Sequence, residues 1–345
     1  MKTSLGFLST IICLLFMYPT AKAQNTNDAA EYMYEVTKKA FELDDETWNY
    51  LKAVTKGKKA SKVESKRKEL TSAIKTAKLS IARKKDFNGQ TQFRDAIVNY
   101  LDLRYTVLKE DYDKILDMEA IAEQSYDGME AYLLAQEKAN EKLDSAFKIM
   151  TTAQQVFAEK YEITLSDKRD KMGEQIRKAS ETLNYYNDIY LIFFKSYKQE
   201  AYVLEAIGRS DVSAIEQNNT TLTAFSEEGL KELAKTKSFR GDLSLVTSAK
   251  KSLTFYKKES ENEFNSLSDY FLKKEAFEKI NKRMESLSKK ERTQADVDRY
   301  NKAVNEYNAV NDVFNKAMQT SFNNRSKMLQ DWNKKVEYFI NNHSK

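Results

Sequence analysis

From Val63 to Ile81 apolar residues return every three or four positions. Val63, Leu70, Ile74, Ala77 and Ile81 therefore fall on one side of a 3.6-residue turn. Phe93, Ile97, Tyr100, Leu101, Leu108, Tyr112 and Ile115 continue the pattern, and Leu245, Leu253, Tyr256, Phe264 and Leu267 repeat it. Each stripe predicts an amphipathic helix with its apolar face in a core. The aromatic stripes read as core packing rather than as a cofactor box.

The pattern also repeats itself. Tyr34 recurs as Tyr186, Phe41 as Phe193, Tyr50 as Tyr202, Leu70 as Leu222, Phe87 as Phe239 and Gly89 as Gly241, always 152 residues on. Beyond Asp117 and Asp269 the match resumes at 168, with Tyr132/Tyr300, Ala135/Ala303, Asn140/Asn308, Asp144/Asp312 and Met150/Met318. A fixed period signals a duplicated unit. The change of offset gives the second copy 16 extra residues, placed in the charged segment Lys279 to Thr293. That insert either lengthens two helices or forms a projecting tip.

Glycines mark the joints. Gly57, Gly89 and Gly128 divide the first copy into four segments, and Gly208 and Gly241 fall at matching joints of the second. Gly173 and Gly229 fall inside helices. Ser61-Lys62-Val63-Glu64 and Ser213-Ala214-Ile215-Glu216 both read as S-x-x-E capping boxes at the start of the second helix. The expected fold class is all-α: two tandem four-helix-bundle-like repeats of long antiparallel helices, paired in coiled-coil fashion. Repeat 1 covers 24–165 and repeat 2 covers 166–345. The boundary is placed at Ile163-Thr164-Leu165-Ser166-Asp167, where two β-branched residues weaken the helix.

The segment 1–23 stands outside this scheme. Lys2, an apolar run from Leu5 to Tyr18 and the small-x-small triplet Ala21-Lys22-Ala23 read as a signal peptide cleaved after Ala23. The lone cysteine, Cys13, follows Ile12 inside the apolar run, which disfavours a lipoprotein anchor. The lone proline, Pro19, also lies in this segment. The mature chain thus has neither cysteine nor proline, and Lys, Glu, Ala and Leu favour long helices. An exported chain of this size without disulfides points to the periplasm or cell surface of a bacterium. Loss of Lys2 and Lys22 from 57 basic residues leaves 55 against 52 acidic, a net of +3 that argues against nucleic acid. No transmembrane segment remains. The aromatic run Tyr185 to Phe194 is interrupted by Asn187 and Asp188 and reads as a buried helix.

Two stretches carry a family likeness. Phe87-Asn88-Gly89-Gln90-Thr91-Gln92-Phe93-Arg94-Asp95-Ala96 is followed by Tyr100 and Glu110-Asp111-Tyr112. Phe239-Arg240-Gly241-Asp242 is followed by Phe255-Tyr256-Lys257 and Glu263-Phe264. This pattern resembles an uncharacterised family of exported, long-helix surface proteins of bacteria with no assigned activity. The resemblance implies an all-helical exported protein and brings no catalytic residues.

Chemistry is mostly excluded. His343, the only histidine, lies in a polar C-terminal Asn-Asn-His-Ser-Lys run and reads as a frayed-tail residue. Without a second histidine or a mature cysteine, thiol nucleophiles, His-based triads and ordinary zinc sites are absent. The Glu-x-x-His pairs of di-metal bundles are absent too. No catalytic, metal or cofactor-binding residue is expected, and the protein is not expected to be an enzyme. The clusters Asp44-Asp45-Glu46 and Glu110-Asp111-Tyr112-Asp113 read as solvated faces.

One stretch differs between the copies. From Lys56 to Lys85 there are twelve basic residues and only Glu64 and Glu69 as acids, whereas the matching stretch holds four basic and five acidic residues. Lys58, Lys68, Lys75 and Arg83 point away from the apolar seam; Lys66, Arg67, Lys78 and Lys84 flank it. Lys58, Lys66, Lys68, Lys75 and Arg83 form the candidate surface for an anionic partner: an envelope protein, an acidic polysaccharide or lipid headgroups. The bland alternative is a solvated face balanced by acidic helices such as Glu110 to Glu130. The expectation is an exported, non-catalytic binding or scaffold protein of the cell envelope. Its alternative is a membrane-active protein that inserts the helix around Tyr185 to Phe194.

Overall fold

The computed structural model describes residues 18–20, 24–56, 58–111, 124–166, 171–264 and 267–344. Most of the expected leader therefore lies outside the described residues, as do Gly57, the end of the third-helix stripe at Tyr112 and Ile115, and Asp167. The fold is all-α. In chain order the elements are β1 (Tyr18–Thr20), α1 (Gln24–Phe41), α2 (Leu43–Thr55), α3 (Ala60–Ala82), α4 (Gln92–Thr106) and a π-helical turn (Val107–Asp111). Then come α5 (Tyr126–Lys160), β2 (Thr164–Ser166), α6 (Lys171–Gly208), α7 (Val212–Lys235), α8 (Ser244–Glu259), a second π-helical turn (Ser260–Phe264), α9 (Leu267–Ser286) and α10 (Gln294–His343). β1 and β2 pair antiparallel, Pro19 opposite Leu165. The chain forms two compact units, residues 1–188 with 337–345 and residues 189–336. The divisions fall inside α6 and α10, not at the Ile163–Asp167 junction.

The first unit is built on the stripes read from the sequence. Val63, Leu70, Ile74, Ala77 and Ile81 of α3 are buried, as are Phe93, Ile97, Tyr100 and Leu101 of α4. α1 contributes Met33 and Val36, and α2 contributes Tyr50, Leu51 and Val54. Between α3 and α4 the chain turns through Asn88 (φ 51°) and Gly89 (φ 76°). Both lie in the left-handed region, which suits Asn and Gly and marks a type I′ turn. Phe87 and Gln90 close the turn with reciprocal backbone bonds of 3.2 and 3.0 Å. Phe87 then enters an aromatic cluster with Tyr32, Phe157 and Tyr161, ring centres 5.1 to 5.9 Å away. Ser125 caps α5 by accepting from the Gly128 amide at 3.0 Å. Gly128 is thus in the first turn of a helix rather than at its boundary. His343 ends α10 inside the helix, its ring 4.7 Å from Phe339, so the tail is packed rather than frayed.

The second unit holds a turn of the same kind. α3 and α7 begin at Ala60 and Val212, and α4 and α8 at Gln92 and Ser244, so both pairs of helix starts keep the first offset of the sequence. Arg240 (φ 50°) and Gly241 (φ 83°) make the corresponding turn, closed by Phe239 and Asp242. Gly229 lies inside α7, where space for a side chain is short. A Cβ there would stand 2.7 Å from Leu253 Cδ1 and 3.0 Å from Ile192 Cγ2. Phe193 stacks on Trp332 at 4.4 Å in the core.

The S-x-x-E boxes do not form. Ser61 and Ser213 lie inside the first turns of α3 and α7, whose N-caps are Lys59 and Asp211. The Asp211 carboxylate accepts from the Ala214 amide at 3.1 Å, so the cap forms two residues ahead of Ser213. Glu64 is drawn away by Arg67. A reciprocal cap forms instead at Thr293 and Asp296. Thr293 Oγ1 accepts from the Asp296 amide, and Asp296 Oδ2 accepts from the Thr293 amide, both at 3.2 Å. This cap opens α10, and α9 and α10 run side by side from the tip between them. Tyr270 stacks on Phe314 at 4.0 Å and Phe277 on Tyr307 at 5.0 Å along the pair.

Candidate functional site

The basic stretch folds as α3 and its flanks. Its apolar positions are consumed by the core, so its cations are sorted by helical phase alone. Lys58, Lys68, Lys75 and Arg83 are exposed. Lys68 has a loose 3.4 Å contact with Glu64. Among the described residues Lys58, Lys75 and Arg83 have no ion-pair partner. A shallow open depression beside Arg83 is lined by Thr76, Leu79, Ser80, Arg83 and Lys84.

The flanking cations are neutralised locally. Lys66 is half-buried and paired with Glu69. Lys78 meets Asp102 at 2.5 Å, and Lys84 meets Glu35 at 2.9 Å. Hydrogen bonds from Lys66 and Lys84 hold the Glu69 and Glu35 carboxyls below their ordinary range. The balancing acids therefore come from α3 itself, α4 and α1. The expected balancing stretch Glu110 to Glu130 lies largely outside the described residues.

Arg67 departs furthest from expectation. It is buried, at 4% exposure, rather than flanking the seam. Its Nε and Nη2 donate to Glu64 Oε2 and Oε1 at 2.8 and 2.7 Å, and its Nη1 donates to the Leu108 carbonyl in the first π-turn. The Arg67 hydrogen bonds keep the Glu64 carboxyl below its usual range. Of the twelve basic residues, Arg67 is thus structural, and Lys66, Lys78 and Lys84 are locally paired. Among the cations that remain, Lys68 and Lys75 lie on α3, Lys58 lies just before it and Arg83 at its C-terminal end.

The second half lacks this row. Ser210, Thr220, Glu227 and Lys235 stand at the positions that match Lys58, Lys68, Lys75 and Arg83. Glu227 is itself paired with Lys257 at 2.7 Å.

The second unit holds a polar constellation that the sequence reading missed. Glu200 of α6, Glu259 of α8 and Ser321 and Arg325 of α10 meet in its interior. Arg325 Nε bonds Glu200 Oε1, and Arg325 Nη2 reaches Glu259 Oε1 at 2.7 Å and Ser321 Oγ at 3.0 Å. The signal was present as phase: Phe193, Ser196, Glu200 and Val203 fall on one buried stripe of α6. Glu200 and Glu259 are buried, so the acid pair opens onto no cleft. Among the described residues no three His, Asp or Glu side chains gather as a metal site, and no helix is long and apolar enough to cross a membrane. No protein-family model, no curated protein and no solved structure matches the chain.

Proposed function

We propose that the protein is an exported, non-catalytic binding or scaffold protein of the bacterial cell envelope. In this reading it is built from two copies of one helical unit and presents α3 of the first copy to an anionic partner. The observation that carries the proposal is the exposed row Lys58, Lys68, Lys75 and Arg83, three of which have no ion-pair partner among the described residues. A solvated surface helix usually mixes both signs of charge. Helix α7 forms at the matched offset without this row, so a helix in that place does not require it. The two-copy reading draws on turns and helix starts that recur at one constant offset. Export draws on the N-terminal residue pattern alone.

The test is charge reversal of Lys58, Lys68, Lys75 and Arg83 together in the full chain. Binding is then measured to isolated envelope fractions, to acidic polysaccharide and to anionic vesicles. Loss of one of these interactions, with unchanged circular dichroism, supports the reading. Undiminished binding to all three rejects it. Vesicle leakage by the unaltered protein favours instead the membrane-inserting reading centred on Tyr185 to Phe194.

A further inference from the structure

Two carboxylates in the second unit face one guanidinium. The side chains of Glu200 and Glu259 are 2% and 1% exposed, and Arg325 lies between them at 13%. Ser321 also donates to Glu259 Oε1. Even so, Glu259 Oε2 and the neighbouring Tyr256 hydroxyl are buried without a hydrogen-bond partner. The groups facing the pair are Tyr256 from α8, with Tyr197 of α6 acting on Tyr256, and Ser321 and Arg325 from α10. Asn219 of α7 bonds the adjacent Ser260 and is uncharged. With both acids ionised, the group carries one unbalanced negative charge out of contact with water. Such a charge is removed by protonation more cheaply than it is kept.

We infer that Glu200 and Glu259 share one proton, and that with Arg325 they form a proton-dependent clamp holding α10 against α6 and α8 within the second unit. The electrostatics agree. Burial first, and the Glu259 carboxyl next, push the Glu200 carboxyl well above the usual glutamate range. Burial likewise pushes the Tyr256 hydroxyl up, so it stays neutral. A group whose pKa rises on folding stabilises the fold fully below its unfolded value. That contribution is lost as pH climbs through the folded value. The clamp is therefore closed on the acid side and weakens toward alkaline pH.

This device belongs to the second half alone. At the matched offsets Glu200, Glu259 and Arg325 correspond to Trp48, Val107 and Phe157, none of them ionisable. It is also independent of the basic face of α3, so either inference survives the other's failure.

Trp332 supplies a reporter. It follows Arg325 by two turns of α10 and is buried against Phe193 of α6. In a full-length Trp48→Phe background it is the single tryptophan of the chain. Thermal unfolding and Trp332 emission are followed from pH 5 to pH 9. The expected result is a Tm drop of about 4 °C or more toward alkaline pH, with a red shift of emission. Glu200→Gln and Glu259→Gln each flatten both curves. A flat Tm in the parent, or an unchanged slope in both variants, overturns the clamp. Should neither variant fold, infrared spectroscopy of the parent at pH 7 decides. A protonated-carboxyl band from a buried group supports the shared proton, and its absence refutes it.

Discussion

The side-chain amide of Asn219 donates to the backbone carbonyl of Ser260 at 3.1 Å, across from α7 to the second π-turn. Ser260 Oγ returns the contact by donating to Asn219 Oδ1 at 2.6 Å. Arg67 and Leu108, at the matching positions of the first unit, make the corresponding contact there. A π-turn displaces carbonyls from regular helical bonding, and a side chain from the preceding helix meets one in each half. The residue type differs: Arg67 brings a charge that Glu64 must balance, whereas Asn219 brings none.

Asn219→Ala removes the donor and leaves the Ser260 carbonyl buried without it. A loss of about 1–3 kcal/mol is expected, measured by urea unfolding. Amide exchange in the π-turn should accelerate more than in the middle of α7.

Gly229→Ala sets two effects against each other. The helix gains about 1 kcal/mol from the better helix former. The new methyl meets Leu253 Cδ1 at 2.7 Å in a packed core, and overpacking costs about 1–3 kcal/mol. Net destabilisation is expected. Combined with Leu253→Val, which removes the clashing carbon, the two losses should be less than additive in a double-mutant cycle.

Gly241→Ala tests the turn. Nothing lies within 4 Å of the added methyl, so its cost is purely that of φ +83° for an L side chain. About 1–2 kcal/mol is expected. Gly241→Asn should lose less, because Asn tolerates the left-handed region.

Arg325→Met leaves Glu200 and Glu259 buried without their cation. At neutral pH this should cost about 3–5 kcal/mol. The loss should shrink toward acid pH, because burial raises the Glu200 carboxyl and lets it take a proton. Unfolding in urea at pH 7.5 and pH 5 checks the sign.

Much of the scaffold was legible because apolar spacing alone decides a helix face. The stripes through Val63–Ile81 and Phe93–Leu101 are buried as read, and the turns at Gly89 and Gly241 fall at those glycines. Caps were less legible. Ser61 and Ser213 matched a motif, but Asp211 stands just ahead of Ser213 and offers a stronger acceptor, while Glu64 is engaged by a bidentate arginine. Charge was least legible. Counting Lys56 to Lys85 treats twelve cations alike, yet Arg67 enters the core and Lys84 reaches Glu35, 49 residues away in sequence. Glu200 and Glu259 were missed for the same reason. A glutamate in a lysine-rich helix reads as solvated unless its phase is compared with that of Phe193 and Val203.

A π-turn holds one residue more than an α-turn, so it resets the phase of the helix that it ends. Val107–Asp111 does so at the end of α4 and Ser260–Phe264 at the end of α8. The cation row beside α3 and the Glu200–Glu259–Arg325 group, by contrast, each occur in one half only. The device that resets the helices is thus common to both halves, and the chemistry that tells them apart lies elsewhere.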